Sequence, residues 1–300
     1  MPQLTMLVGF PGSGKSTVAQ GMVEESPGTI IVSSDAMRKE LFGDENCQNH
    51  NDLLFQQLHK RIRDHLQDGM DVIYDACNIN YKQRMEFLKS LNSIPCWKRA
   101  LVVATPVSEC LRRNANRERV VPEKAIFKMY RNFWMPASYE GFNSVTVYRP
   151  ILKKQKTADE FVKMVFAWDQ MNSHHSRTLG EHMALARDAI LKEDPSNSIL
   201  AYAAYIHDCG KLVCATMVNA KGVKDGETHY YGHEHAGAYN SMFFEDNPDP
   251  VRVAQLIQWH MRPYTAWEQS EKAREKDRRL LGETLYREIL ALHKADLFAH

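Results

Sequence analysis

The sequence predicts two domains: an α/β domain with a parallel sheet flanked by helices, and then an all-α domain. In residues 1–150, short apolar runs alternate with helical patterns, which is typical of a parallel sheet covered by helices. After Arg149-Pro150 the strand signals stop, and nearly every later segment has helical periodicity. We therefore predict domains at 1–150 and 151–300, with the polar stretch at about 150–157 as the linker.

Short apolar runs predict the strands of the first domain, and amphipathic stretches predict its helices. The predicted strands are Leu4–Gly9, Thr29–Val32, Asp71–Tyr74, Arg99–Ala104 and Val145–Tyr148. The clearest helical patterns are Ser16–Glu25, Leu53–Gln67 and Tyr81–Leu91. Histidine is distributed unevenly, because only His50, His59 and His65 of the 13 histidines precede residue 151. The two domains are therefore expected to use different chemistry.

Composition excludes several classes of protein. A net charge of +1, from 38 Lys+Arg and 37 Asp+Glu, gives no bulk attraction to nucleic acid or membranes. Apolar runs are far shorter than the roughly 20 residues of a membrane span, and the apolar Leu4–Phe10 lacks the basic region of a signal peptide. The six cysteines form no C-x-x-C pair, so we expect reduced thiols in a cytoplasmic protein without a membrane partner. Composition leaves the oligomeric state open.

The strongest motif is Gly9-Phe10-Pro11-Gly12-Ser13-Gly14-Lys15-Ser16, which matches G-x-x-x-x-G-K-[ST] between a predicted strand and a predicted helix. Glycines let backbone N–H groups approach phosphate oxygens, and the helix N-terminus favours negative charge. We predict that ATP or another NTP binds here with Mg²⁺, Lys15 reaching the β- and γ-phosphates and Ser16 holding the metal. The remaining nucleotide-binding residues are predicted to be Gly12, Ser13, Gly14 and Thr17. The reaction stays open, because such loops occur in kinases, switches and motors.

Polar residues follow the second and third predicted strands, where an acceptor would lie. Asp35 can accept the proton of an attacking hydroxyl, and Arg38, one helical turn later, can hold an anionic part of the substrate. The alternative is that Ser34 or Asp35 only caps a helix and Arg38 is solvated. Asp75 ends the third strand, where it can assist the metal or the base or bind substrate; the alternative is that it only closes the strand with a polar turn. Asn78 and Arg84 follow it and are predicted to bind acceptor phosphate.

Residues 98–131 form a locally basic segment, with nine Lys and Arg against three Glu. Arg113 and Arg117 are four residues apart, which predicts one helical face just before Val121-Pro122. A lid with arginines over the transferring phosphate would stabilise charge in the transition state and exclude water. The alternative is a solvated basic helix.

In this order the pieces resemble the P-loop polynucleotide 5′-kinases of nucleic-acid end repair. The resemblance covers about residues 1–140 and rests on G-x-P-G-S-G-K-S-T at 9–17, S-D-x-x-R at 34–38, D-x-x-N at 75–78 with Arg84, and R-N-x-x-R at 113–117 followed by V-P. It implies that Asp35 is the general base on the 5′-OH and that Arg38 binds the adjoining phosphate. It further implies that Arg113 and Arg117 act from the lid on the donor phosphates. Small-metabolite kinases share much of this plan, so the acceptor stays open.

The second domain contains a spaced set of histidines and aspartates. His182 shares a helical face with apolar residues, and His207-Asp208 ends the apolar helix 199–206. Further along the chain come Gly232-His233, Trp259-His260 and Ala295-Asp296. Imidazoles together with carboxylates suit Mn, Fe, Co, Ni or Zn ions, and Asp208 could bridge two of them to hold a hydroxide. The alternative is a hydrogen-bonded helical core.

The order H…H-D…H…H…D resembles the HD phosphohydrolase superfamily over about residues 171–300, with His-Asp-x-Gly-Lys at 207–211, Gly-His at 232–233 and Lys-Ala-Asp at 294–296. The resemblance implies one metal site of His182, His207, Asp208 and Asp296. It implies a second site of Asp208, His233 and His260, with Lys211 steadying substrate phosphate. His235 is a rival for His233, and His174 or His175 is expected to orient substrate. The histidines expected to be on the surface or structural are His229, His293 and His300.

Together the two resemblances imply an enzyme that heals RNA or DNA ends, with RNA favoured. It would phosphorylate 5′-OH ends with ATP and remove 2′,3′-cyclic, 2′- or 3′-phosphates with one or two transition-metal ions. Because no nucleotidyl-lysine motif of a ligase is evident, a separate RNA ligase is the expected partner. Two alternatives remain: a nucleoside or metabolite kinase fused to an HD nucleotidase, and an NTP-gated binding module without catalysis.

Overall fold

The computed structural model describes residues 1–44, 50–150, 155–173 and 176–300. These residues divide into two compact units, Met1–Met129 with Pro136–Leu152, and Tyr130–Met135 with Lys153–His300. Residues 151–154 of the predicted linker lie outside the described residues, as do Cys47, His174 and His175. The segment Tyr130–Met135 packs with the second unit, which the composition shift near residue 150 did not predict.

The first unit is built on five parallel strands, as predicted, and their order in the sheet is β2-β3-β1-β4-β5. The strands are β1 (Gln3–Val8), β2 (Ile30–Ser33), β3 (Val72–Asp75), β4 (Trp97–Val103) and β5 (Ser144–Tyr148). Leu4, Met6 and Val8 of the central β1 are fully buried. Strands of a parallel sheet are covered on both faces, which explains why β1 is buried at every position from Leu4 to Val8.

Helices separate these strands along the chain. They are α1 (Lys15–Glu25), α2 (Ser34–Phe42), α3 (Asn51–Gln67), α4 (Tyr81–Lys89), α5 (Val107–Ala115), α6 (Glu123–Tyr130) and a 3₁₀ turn at Ser138–Glu140. Ala19 of α1 packs on Leu7, Ile73 and Leu101 of three neighbouring strands. Since parallel strands end at one edge of the sheet, β1, β2 and β3 bring the phosphate-binding loop, Asp35 and Asp75 to the same edge.

The second unit is helix-rich, as predicted, and the part of it that the structure describes contains no strand, only an isolated bridge between Thr216 and His229. Its helices are α7 (Ala158–Met164), α8 (Leu179–Glu193), α9 (Ser198–Ile206), α10 (Lys211–Cys214), α11 (His233–Ser241), α12 (Pro250–Trp259), a π-helical turn at Pro263–Trp267, and α13 (Glu271–Phe298), which is kinked at Gly282. Within the described ranges, none of the helices has the length and apolar character that a membrane span requires.

Helix caps and buried faces position the histidines of the second unit. Thr178 and Glu181 form a capping box that starts α8, and the buried face of this helix includes His182, Met183 and Ala186. Gly210 precedes α10 at a close approach to α11, because a Cβ there would lie 2.0 Å from the carbonyl oxygen of His233. A side chain at this position would therefore push apart the two segments that hold Asp208 and His233.

Candidate functional sites

The phosphate-binding loop lies between β1 and α1, and it contacts α5 and Thr105 just before that helix. Lys15 donates from Nζ to the carbonyl oxygen of Phe10 at 2.9 Å, and Thr105 Oγ1 donates to the carbonyl oxygen of Ser13 at 2.8 Å. A Cβ on Gly12, whose φ is +80°, would lie 2.4 Å from the carbonyl oxygen of Cys110. The loop therefore needs glycine both for its backbone conformation and for its close contact with α5.

Ser16 and Asp75 meet where β1 and β3 end. Ser16 Oγ donates to Asp75 Oδ2 at 2.8 Å, and Asp75 is only 5% exposed. A hydroxyl and a carboxylate oxygen on the phosphate side of the loop are the hard donors that Mg²⁺ prefers. The sequence left Asp75 between a metal role, a base role and substrate binding, and this contact places it beside the predicted metal ligand.

Asp35 lies in the first turn of α2 and is paired with arginines from the lid segment, defined here as residues 113–122. Arg119 Nη1 donates to Asp35 Oδ1, and Arg117 Nη2 lies 3.6 Å from Oδ2. The N-cap of α2 is Ser33, whose Oγ accepts from the backbone N–H of Ala36, so Asp35 is not the cap. Its carboxylate faces the lid.

The three lid arginines divide between the two sides of the site. The Nη1 atom of Arg113 lies 3.3 Å from where a Cβ on Gly14 would be, beside the phosphate-binding loop. Because α5 ends at Ala115, Arg117 lies beyond the helix, and the predicted shared helical face with Arg113 is wrong. Arg119, which sequence reasoning missed, makes the shorter contact to Asp35. The signal in the sequence that could have identified Arg119 is its position two residues after Arg117 in the basic segment.

Arg38 and Asn78 are held by neighbouring groups. Arg38 is 4% exposed, and its Nη1 donates to Oδ1 of Asn51 at the start of α3 at 3.0 Å. Asn78 has a positive φ of 49°, and its Nδ2 donates to the carbonyl oxygen of Leu7 at 2.9 Å. The Asn78 side chain thus fixes the loop after β3 to β1. This contact engages the side-chain amide of Asn78, which was predicted to bind acceptor phosphate.

Arg84 is not available to a phosphate in this structure. It is 1% exposed, and its Nε and Nη2 donate to the two carboxylate oxygens of Glu140 at 2.7 Å each. Its Nη1 donates to the carbonyl oxygen of Asn78 at 2.8 Å. The prediction that Arg84 binds acceptor phosphate is therefore corrected, because a buried partner 56 residues away already occupies the guanidinium.

A cleft of about 2080 Å³ in the first unit is lined by the phosphate-binding loop, Asp35, Asp75 and the lid arginines. Eight Lys and Arg side chains and five Asp and Glu side chains line it. Part of its wall is aromatic, since His59 stacks on Phe87 with ring centroids 4.2 Å apart and its Nε2 lies 3.1 Å from Tyr74 Oη. Burial and the nearby charge of Arg63 lower the pKa of His59 to about 4, so this ring is neutral at pH 7.

Six buried side chains converge in the second unit. In a first group, Nε2 of His182 lies 3.3 Å from Asp208 Oδ2 and 3.0 Å from Asp296 Oδ1. Nε2 of His207 lies 3.3 and 3.4 Å from the same two oxygens. In a second group, Asp208 Oδ1 lies 3.2 Å from Nε2 of His233 and 3.8 Å from Nε2 of His260. Asp208 therefore turns one carboxylate oxygen to each group.

The four imidazoles all have a main-chain carbonyl beside Nδ1. The acceptors are Ala299 O at 3.2 Å for His182, Ala204 O at 2.8 Å for His207, Tyr230 O at 2.8 Å for His233 and Ile257 O at 2.6 Å for His260. Because a carbonyl only accepts, Nδ1 holds the proton of each neutral ring, and Nε2 keeps its lone pair. The lone pairs of all four rings therefore face the two carboxylates.

This donor set fits a bound cation. Nε2 of His182 is 3.1 Å from Nε2 of His207, and Nε2 of His233 is 3.3 Å from Nε2 of His260. Two facing lone pairs at this distance repel each other unless a proton or a metal ion lies between them. Burial opposes a charge on His207, but Asp208 and Asp296 outweigh it and raise its pKa to about 10, so the carboxylates favour a cation, either a proton or a metal ion, on Nε2 of this ring. Nitrogen donors with carboxylates suit first-row transition metals.

Lys211 lies in the same turn as Asp208 and pairs with it. Its Nζ is 2.7 Å from Asp208 Oδ2 and donates to Gln170 Oε1 at 2.7 Å. The residue is 3% exposed. In this structure its ammonium neutralises the shared carboxylate. That Lys211 steadies a substrate phosphate stays a prediction.

The other histidines of the second unit that the structure describes lie outside the two groups, except His300, which lies beside the first. His235 packs on Trp134 with ring centroids 4.9 Å apart and does not join either group, which leaves His233 as the group member. His229 pairs with Asp225 outside the groups. His293 is buried and lies 2.9 Å from Glu268 Oε1, consistent with the structural role expected of it. His300, expected to be on the surface or structural, lies 3.4 Å from Asp296 Oδ1.

The family match to known proteins lies in the N-terminal part of the chain. A family model described as an AAA domain matches residues 4–136, somewhat less than half of the sequence. An L-seryl-tRNA(Sec) kinase of Methanococcus maripaludis is 26% identical over 145 residues, which cover 45% of this chain and 54% of that kinase. Transcription factor bHLH140 of Arabidopsis thaliana is 27% identical over 151 residues, 47% of this chain and 15% of that protein.

Among solved structures, a chain of the Pnkp1/Rnl/Hen1 RNA repair complex is similar with a TM-score of 0.40 and 23% identity, over 44% of this chain and 43% of that one. This chain spans about half the length of the curated kinase it matches. The parallel sheet and the phosphate-binding loop of the first unit lie, except for β5 and the first residue of β1, within the residues that the AAA-domain model matches.

Proposed function

We propose that the chain heals RNA or DNA ends: the first unit phosphorylates 5′-OH ends with ATP, and the second removes 2′,3′-cyclic, 2′- or 3′-phosphates. The kinase part rests on one observation, a carboxylate and lid arginines at the same sheet edge as a complete phosphate-binding loop. The hydrolase part rests on the Asp208 carboxylate, which is shared between two sets of imidazoles with facing lone pairs.

In the kinase reaction, Asp35 accepts the proton as the 5′-oxygen attacks the γ-phosphorus of ATP, and ADP leaves. Lys15 and Arg113 stabilise the charge that develops on the transferred group, with Arg117 nearby on the lid. Mg²⁺ held by Ser16 and Asp75 would neutralise phosphate charge. The contacts of Arg117 and Arg119 to Asp35 must open before the acceptor hydroxyl reaches this carboxylate.

Two observations favour a large, anionic acceptor over a small metabolite. The cleft volume of about 2080 Å³ is about twice the upper end of the roughly 300–1,000 Å³ range of small-molecule sites. Its lining is richer in cationic than in acidic side chains, which suits a chain of phosphates. The related kinase of M. maripaludis acts, by its name, on an acceptor attached to tRNA.

In the hydrolase reaction, bound transition-metal ions would polarise the phosphoester and activate water. His182, His207, Asp208 and Asp296 would hold one ion, and Asp208, His233 and His260 the other. The carbonyl groups beside each Nδ1 orient the rings, and Lys211 balances part of the carboxylate charge. Healed ends still need sealing, so we propose a separate RNA ligase as the partner.

The test uses end-labelled RNA oligonucleotides with 5′-OH and 2′,3′-cyclic phosphate ends. We expect the wild type to convert both ends, Asp35→Ala to lose only 5′-phosphorylation, and Asp208→Ala to lose only removal of the cyclic phosphate. A wild type that ignores both ends but phosphorylates free nucleosides would establish the small-molecule alternative. Binding of ATP without transfer to any hydroxyl would instead favour a nucleotide-gated binding module.

A further inference from the structure

The carboxylate of Asp296 has two differently occupied oxygens. Tyr264, in the π-helical turn before α13, donates its hydroxyl to Asp296 Oδ2 at 2.9 Å. The other oxygen, Oδ1, lies 3.0 Å from Nε2 of His182 and 3.4 Å from Nε2 of His207. Because the Tyr264 hydroxyl occupies Oδ2, Oδ1 is the oxygen that is directed at the lone pairs of the first group.

A third imidazole approaches the same oxygen. Nε2 of His300 lies 3.4 Å from Asp296 Oδ1, and its ring centroid is 5.2 Å from that of His182. His300 follows Asp296 by four residues, and Ala299 between them keeps helical φ and ψ. Residues four apart on a helix lie on one face, which brings an aspartate and a histidine to one point.

Two contacts hold the backbone around His300 beside the first group. The carbonyl oxygen of Ala299 faces Nδ1 of His182 at 3.2 Å, and Ser176 Oγ donates to the carbonyl oxygen of His300. The side chain of His300 is 31% exposed, whereas those of His182, His207 and Asp296 are at most 6% exposed. His300 therefore lies on the solvent side of the first group.

We propose that His300 is a further ligand of the first ion, on its solvent-facing side, a role that the superfamily resemblance did not assign to it. The inference rests on the proposed metal site of the second unit. It adds a third imidazole nitrogen to the two of His182 and His207. The most exposed ligand would then be His300, which follows the end of α13. The imidazole nitrogen of His300 suits the same first-row transition metals as the other ligands of the first group.

The experiment uses the full chain and Co²⁺ as the probe, because the visible absorption of Co²⁺ reports its ligands. His300→Ala and His300→Gln are compared with wild type, with His229→Ala as the matched control, since His229 pairs with Asp225 outside the cluster. We expect both His300 variants to bind one Co²⁺ at least about tenfold more weakly, with a changed visible spectrum, as water replaces an imidazole. The control should match wild type.

The two levels of the proposal fail differently. If wild type binds Co²⁺ and Asp208→Ala does not, but both His300 variants bind with unchanged affinity and spectrum, His300 is not a ligand and the proposed metal site stands. If wild type and Asp208→Ala both bind no Co²⁺, the metal site of the proposed function is itself wrong. Circular dichroism of each variant shows whether the helices are intact.

Discussion

Arg119 donates a hydrogen bond to Asp35, the carboxylate proposed as the general base of the first unit. Both residues line the cleft, and their side chains are 17% and 39% exposed, so solvent reaches the pair. The base therefore has a cationic partner before an acceptor arrives. An acceptor phosphate is a natural competitor for the same guanidinium.

Substitution of Arg119 should weaken binding of the acceptor rather than binding of ATP. For Arg119→Ala we expect the KM of a 5′-OH oligonucleotide to rise about tenfold, the cost of one lost charge-assisted hydrogen bond, and the KM of ATP to change little. Arg112→Ala is the control, because Arg112 is exposed and pairs with Glu109. An unchanged KM for the oligonucleotide would show that Arg119 does not contact the acceptor.

The buried pair of Arg84 and Glu140 should act on stability. Arg84→Ala leaves the Glu140 carboxylate buried without its partner, so we expect a loss of about 3–5 kcal/mol in the free energy of unfolding in urea. The double variant Arg84→Met with Glu140→Leu should recover most of this loss, because no unpaired charge remains. Full stability of Arg84→Ala together with a raised acceptor KM would restore the phosphate-binding role that the sequence suggested.

Acid should destabilise the first unit through His59. Its pKa is about 4 in the folded chain and about 6.5 in a free chain, so between these values the unfolded state binds more protons. The free energy of unfolding therefore falls as pH falls through this window, by up to about 1.4 kcal/mol per pH unit from this group. Urea unfolding of His59→Gln from pH 4 to 7 should show a smaller slope than wild type. Equal slopes would contradict the assignment.

Removal of the Tyr264 hydroxyl should weaken metal binding at the proposed site of the second unit. In Tyr264→Phe, Asp296 loses the hydrogen bond that fixes Oδ2, and we expect about tenfold weaker transition-metal binding in the same Co²⁺ titration. Tyr231→Phe is the control, since Tyr231 is 48% exposed. Wild-type affinity in Tyr264→Phe would mean that the orientation of Asp296 does not depend on this bond.

Local patterns predicted the strands and the phosphate-binding loop, because each depends on neighbours in sequence. The six residues of the two metal groups, His182 to Asp296, were instead implied by the resemblance of their order along the chain to a superfamily. The pairing of Arg84 with Glu140 was not predictable, since charge patterning marks an arginine but not a partner 56 residues away. The position of Arg117 failed for a related reason: its spacing from Arg113 assumed a helix that ends at Ala115. Tyr264 contacts Asp296 through a π-helical turn, which has no regular sequence period.

The short segment Tyr130–Met135 limits how this protein can be divided or recombined. Tyr130 Oη donates to Asn240 Oδ1 at 2.5 Å, and the backbone N–H of Met135 donates to the buried Gln258 Oε1 at 2.6 Å. A fragment that begins at residue 151 lacks both donors, although it contains every histidine of the cluster. The chain changes unit three times, so a single crossover cannot exchange one unit with a homologue intact. Exchange of one complete unit therefore requires a change at all three junctions.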